Sequence, residues 1–128
     1  MENRRVVADT TIFIEHLRAT KKEKTKLFKL VNEVELYTSA ITVYKLLMGA
    51  KTEQKKQDVF LLVEDIPILP FDYEASLKAA EIFHYLRTSN KLIEFRDIFI
   101  GAICLANNLP VATINRKHFE RIKGLELY

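Results

Sequence analysis

At 128 residues, with 48% hydrophobic and 29% charged side chains, the chain is sized and composed for one soluble globular domain spanning residues 1–128. Its net charge of +3 permits an acidic or nucleic-acid partner without requiring one. No apolar run approaches the roughly 20 residues a membrane helix needs, the opening MENRRVVADT is too short for a signal peptide, and one cysteine, Cys104, excludes an internal disulfide and agrees with a reducing cytoplasm.

Arg5 to Ala8 is a short apolar run that reads as a buried parallel strand ending at Asp9. Thr10 or Thr11 is expected to cap the helix that follows, with Ile12, Ile14 and Leu17 facing the core. Lys21 to Val34 places Leu27, Phe28, Leu30, Val31 and Val34 at helical spacing, with a lysine-rich opposite face. Glu35 to Thr38 is a second strand. Ser39 or Thr42 can cap the next helix, whose apolar face is predicted to be Ile41, Tyr44, Leu47 and Met48. Lys51 to Lys56 is polar, and Val59 to Val63 resumes an apolar face. Asp65 to Pro70 (DIPILP) carries two prolines, which suits an edge strand.

Asp72 to Arg87 has the pattern of an amphipathic helix, and Thr88 to Lys91 that of a turn. Glu94 to Asn107 is the most apolar helix and should be buried, with Cys104 in its core face. Asn107, Asn108 and Pro110 end it. Val111 to Thr113 is the next strand, Asn115 to Ile122 a turn or two of helix, and Leu125 to Leu127 a final strand after Gly124. Strands alternating with helices predict an α/β sandwich around a mainly parallel sheet of four or five strands. In such sheets functional groups collect at the carboxyl ends of the strands. Asp9 and Asn115 fall there, and Asp97 approaches from a helix start.

The segments VADTTIFIEHL, SAITVYKLLMGA and RDIFIGAICLANNLPVATINRKHFERIKGLEL together resemble PIN-domain proteins of the VapC toxin type. The likeness covers almost the whole chain, in order and at the right spacing. It implies a three-layer PIN-like sandwich and a metal-dependent endoribonuclease. The implied substrate is structured RNA such as transfer or ribosomal RNA, and the implied partners are a cognate antitoxin and a second copy in a homodimer. It implies Mg²⁺ or Mn²⁺ as cofactor, with Asp9 and Asp97 as metal ligands and Asp9, Asp97 and Asn115 as catalytic residues. Thr113 matches the threonine of the terminal TxN pattern, and Glu94, one turn before Asp97, is a candidate accessory acid.

The chemistry suits that mapping. Mg²⁺ takes oxygen ligands, often one or two carboxylates plus waters, and a bound ion can activate water and offset charge on phosphate. Lys45 departs from it, since the family pattern has a glutamate there. Three readings follow: a natural change that weakens metal catalysis, a deliberate one that silences a toxic enzyme, or an ammonium that holds phosphate in place of a metal. At about 4 Å and an effective dielectric near 20, opposite charges attract by roughly 4 kcal/mol, enough to compete with weak Mg²⁺ binding. Lys45→Glu is therefore expected to raise metal affinity and activity. The alternative functions are a PIN-like protein that binds RNA or an antitoxin without cleaving, and a signalling module whose aspartates bind Mg²⁺. His118 is expected at the surface or half-buried. Phe13, Phe28, Tyr37 and Tyr44 are candidates for a partner surface.

Overall fold

In the computed structural model, which describes residues 4–128, four strands form a fully parallel sheet in the order β3-β2-β1-β4. They are β1 (Arg5–Ala8), β2 (Glu35–Ser39), β3 (Ile68–Leu69) and β4 (Val111–Ala112). β3 lies at the edge, as its flanking prolines predict. Of the expected final strand only one bridge forms, Leu127 beside Val111.

The side-chain alternation of β1 builds three layers. Val6 and Ala8 point to one face and Val7 to the other, and all three are fully buried. On the first face lie α1 (Thr10–Arg18), α2 (Lys26–Glu33), α3 (Ala40–Gly49) and α4 (Glu53–Val63), which contribute Ile12, Phe13, Leu27, Leu46 and Val59 to one core. On the second lie α5 (Tyr73–Thr88), α6 (Phe95–Ala106) and α7 (Arg116–Phe119), with Leu86, Ile100, Cys104 and Phe119 in the other. A core residue of this size is worth about 1.5–3 kcal/mol on burial. The two cores grip β1 from both sides and so fix the point where it ends.

Several expectations give way to tertiary context. The cap of α1 is Asp9, whose carboxylate accepts from Thr11 N, rather than Thr10 or Thr11. The stretch from Lys21 to Val34 is broken: a 3₁₀ turn (Lys22–Lys24) precedes α2, and Thr25 caps α2 through Phe28 N. α4 begins at Glu53, inside the stretch read only as polar, because Thr52 caps it. α3 turns Thr42 and Leu46 inward; of its expected face, Ile41 and Leu47 pack against the cores while Tyr44 and Met48 are left exposed. Phe13 is fully buried and offers no partner surface, whereas Phe28 and Tyr44 are exposed. Tyr37 sits on β2 and donates its hydroxyl to Glu35 at 2.7 Å.

The chain steps outward from β1 to β2 to β3, then returns through α5 and α6 to place β4 on the other side of β1. The direction of winding reverses beside β1. Parallel sheets leave a crevice at the carboxyl ends of the strands where winding reverses.

Candidate functional site

Asp9 stands at that crevice. Its backbone N–H donates to Ala112 O at 3.0 Å and holds it beside the end of β4. Its side chain, 2% exposed, accepts from Thr11 N at 3.0 Å and from Thr11 Oγ1 at 2.6 Å on Oδ1. Thr113 Oγ1 donates to Oδ2 at 2.9 Å. Each hydroxyl is aimed by a backbone donor of the β4 loop: Ile114 N gives to Thr11 Oγ1 at 3.0 Å, and Asn115 N to Thr113 Oγ1 at 2.9 Å. The two threonines thus tie the ends of β1 and β4 through one carboxylate. Burial pushes the Asp9 pKa above the ordinary aspartate value, and the charge of Asp97 adds to it, while the threonine hydrogen bonds pull it back down.

Asp97 comes from the first turn of α6, where the helix dipole favours an acid. Its side chain is 8% exposed and both oxygens have partners. Lys45 Nζ, reaching across from α3, donates to Oδ1 at 3.2 Å. His118 Nδ1, from α7, lies 3.1 Å from Oδ2. Asn115 touches the same imidazole nitrogen at 2.8 Å. A carboxylate only accepts, so the proton belongs on Nδ1. Asn115 then meets it through the amide oxygen, an end-for-end turn of the side chain.

Of the residues singled out in the sequence, Asp9, Asp97, Asn115, Thr113 and Lys45 converge here. Glu94 is turned elsewhere: it caps α6 by accepting from Arg96 N at 3.0 Å and pairs with Arg96 Nε at 2.5 Å. His118, expected at the surface or half-buried, is half-buried and in contact with Asp97. Its spacing of three residues from Asn115 on a helical turn was the available signal. Thr11 was missed as well, although a threonine two residues after a strand-end aspartate is placed to donate back to it. A further hydroxyl group, Thr42, sits between Thr10 and Ser39 at 3.3 Å from each, beside the ends of β1 and β2.

A divalent ion needs several free oxygen ligands. Asp9 and Asp97 keep lone pairs beyond the hydrogen bonds they accept, but one oxygen of Asp97 carries the Lys45 ammonium. No group of three His, Cys, Asp or Glu side chains is placed to hold a metal ion among the described residues. The donor set as arranged does not fit a divalent ion, because the ammonium of Lys45 already supplies the positive charge that Asp97 would share.

Comparison with known proteins agrees with the geometry. The PIN domain family profile matches residues 6–125. The chain is 28% identical to Ribonuclease VapC1 of Methanocaldococcus jannaschii, over 99% of this chain and 89% of that protein. It is 32% identical to VapC ribonuclease Y4jK of Sinorhizobium fredii, over 95% of this chain and 94% of that one. Its fold superposes on a structure of VapBC-1 from nontypeable Haemophilus influenzae with a TM-score of 0.82 and 26% identity, covering 97% of this chain and 96% of that chain. Spanning nearly its whole length with the matched profile, and carrying the acidic crevice at the turning point of a parallel sheet, the chain belongs to the PIN-domain family, among its VapC-type members.

Proposed function

We propose that this protein is an endoribonuclease toxin of the VapC type, acting on structured RNA and neutralised by a cognate antitoxin. The observation that carries this reading is the meeting of Asp9 and Asp97, from β1 and α6, in one hollow at the carboxyl end of the sheet. The ribonuclease names of the relatives support the activity, and the likeness to a VapBC-1 structure supports an antitoxin partner. The mild excess of positive charge suits a phosphate-rich substrate. A homodimer is part of the proposal: Tyr44, Met48 and Phe95 are exposed, and Arg96 links Met48 to Phe95 across α3 and α6, giving one apolar area for a second copy. The proposed compartment is the cytoplasm, in keeping with the buried free thiol of Cys104; no helix of the described residues is long and apolar enough to cross a membrane.

Lys45 bears on metal use, because the family pattern has a glutamate at that position. With a glutamate at 45, Asp9 and Asp97 would join a third carboxylate in a set suited to Mg²⁺ or Mn²⁺. With lysine there, metal-dependent cleavage is expected to be weak. The Lys45–Asp97 pair favours a second reading for this form, binding of RNA or antitoxin without cleavage.

The test is incubation with a pool of structured RNA, with Mn²⁺ or with a chelator, of this chain, Lys45→Glu and Asp97→Ala. Cleavage that needs metal and Asp97, stronger in Lys45→Glu, supports the enzyme. Binding without cleavage in every form supports the second reading. Absence of both removes the proposal.

A further inference from the structure

Lys45 belongs to two features at once. Its ammonium lies against Asp97, and its stem lines a cleft of about 260 Å³ between α1, α3 and α4. Arg18, from the end of α1, and Lys55, from the start of α4, line the same cleft. Neither forms an ion pair among the described residues. The one acid in the cleft wall, Asp58, already accepts from Gln54 Nε2 at 2.9 Å. Three cations and one carboxylate therefore line this cleft, and one of the three, Lys45, also reaches Asp97. Cationic side chains without partners, set beside a lysine that pairs with Asp97, are arranged to receive anions.

We propose that Lys45, Arg18 and Lys55 form a metal-independent seat for the phosphodiester backbone of RNA, with the Lys45 ammonium standing in for the divalent cation. The inference rests on the reading of the hollow as an RNA-directed site and assigns the residues that hold the substrate. The Lys45 ammonium has three donors, one of which is spent on Asp97 at 3.2 Å. The side chain keeps 20% of its surface open. A phosphate oxygen in the cleft can take a second donor while Asp97 keeps the first. Arg18 and Lys55 then hold the neighbouring phosphates.

The experiment is equilibrium binding of fluorescently labelled, unfractionated transfer RNA in EDTA, over a series of salt concentrations. The protein is compared with Lys45→Met and with the double variant Arg18→Ala/Lys55→Ala. Circular dichroism melts verify the fold of each. The expected result is binding by the parent chain in EDTA, with no gain on adding Mn²⁺. Loss of two phosphate contacts should lower affinity about tenfold and flatten the log–log salt slope by roughly 1.5. Lys45→Met should weaken binding several-fold. Parent affinity that appears only with Mn²⁺, or a double variant with unchanged affinity and slope, overturns the seat while leaving the nuclease reading intact. Competition by a polyglutamate peptide as effective as by RNA overturns it in favour of an acidic protein segment. No RNA binding under any condition overturns both.

Discussion

Lys45 and Asp97 lie 52 residues apart in sequence and meet at 3.2 Å in a part-buried contact. The pair sets an ammonium against a carboxylate proposed to hold a metal ion. Removing the lysine alone leaves Asp97 with the His118 contact and frees an oxygen; replacing it by glutamate adds a ligand.

Lys45→Glu is accordingly expected to tighten Mn²⁺ binding by at least about tenfold, since a pair at this distance interacts by a few kcal/mol at an effective dielectric near 20. Isothermal titration of both forms measures it. Equal affinities would show that the ammonium does not compete with metal.

Asp9 carries a pH signature. Its folded-state pKa is raised by burial above 3.8, the ordinary value taken for the unfolded chain. Between those two values the folded form holds the proton more tightly. The stabilising contribution is therefore complete below the unfolded pKa and is lost as pH rises through the folded one. Asp9→Asn, which carries no charge, should gain on the parent chain as pH rises from 4 to 7. Urea unfolding across that range reads the difference, and a gap that does not change with pH rules the account out.

Thr113→Val keeps the shape and deletes the donor to Asp9 Oδ2 together with the acceptor for Asn115 N. A hydrogen bond to a buried charge is worth about 1.5–3 kcal/mol, so a loss of that order is expected in thermal or urea unfolding at pH 7. The Asp9 pKa should rise further. A variant as stable as the parent would mean that water replaces the hydroxyl without cost.

Gly101 lies on α6 where it passes the C-terminal segment. A Cβ built there meets Ile122 Cδ1 at 2.5 Å. Ile122 is itself buried in the second core, so its side chain has little room to yield. Gly101→Ala is expected to destabilise by about 1–3 kcal/mol through overpacking, despite alanine's better helix propensity. Chemical denaturation decides it: a net gain in stability would mean that Ile122 rotates away freely.

The strands and the two acids were legible because they depend on local signals. An apolar run followed by Asp9, and an apolar helix opened by Asp97, keep their meaning in isolation. The α6 terminus was legible for the same reason: Asn108 takes a φ of +55°, which asparagine tolerates, and Pro110 follows. What failed to show depends on neighbours in space. The cap of α1 reads as Thr10 or Thr11, yet Asp9 takes it through Oδ1 while its Oδ2 meets Thr113. Phe13 looked free because α1 seemed to have one core face, whereas packing against both the sheet and α2 buries it. On α3 the polar Thr42 turns inward because it finds buried hydroxyl partners in Thr10 and Ser39, while Tyr44 and Met48 are left exposed. Glu94 and Asp97 share a helical face by spacing, but Arg96 draws Glu94 away. His118 shares a helical turn with Asn115, but its contact with Asp97 comes from the packing of α7 against α6, which local spacing does not encode.

The placement of β4 beside β1 has a consequence for the chain during its synthesis. A ribosome delivers β1 first, and residues 111 to 118 only after more than four-fifths of the sequence has been made. Until then one edge of the central strand has no hydrogen-bonding neighbour, and Asp9 lacks the threonine donor that β4 brings. Asn115 and His118 arrive with the same late segment. A nascent or prematurely terminated product therefore has its first helices but no finished hollow, so whatever harm this protein can do begins only when translation is nearly over.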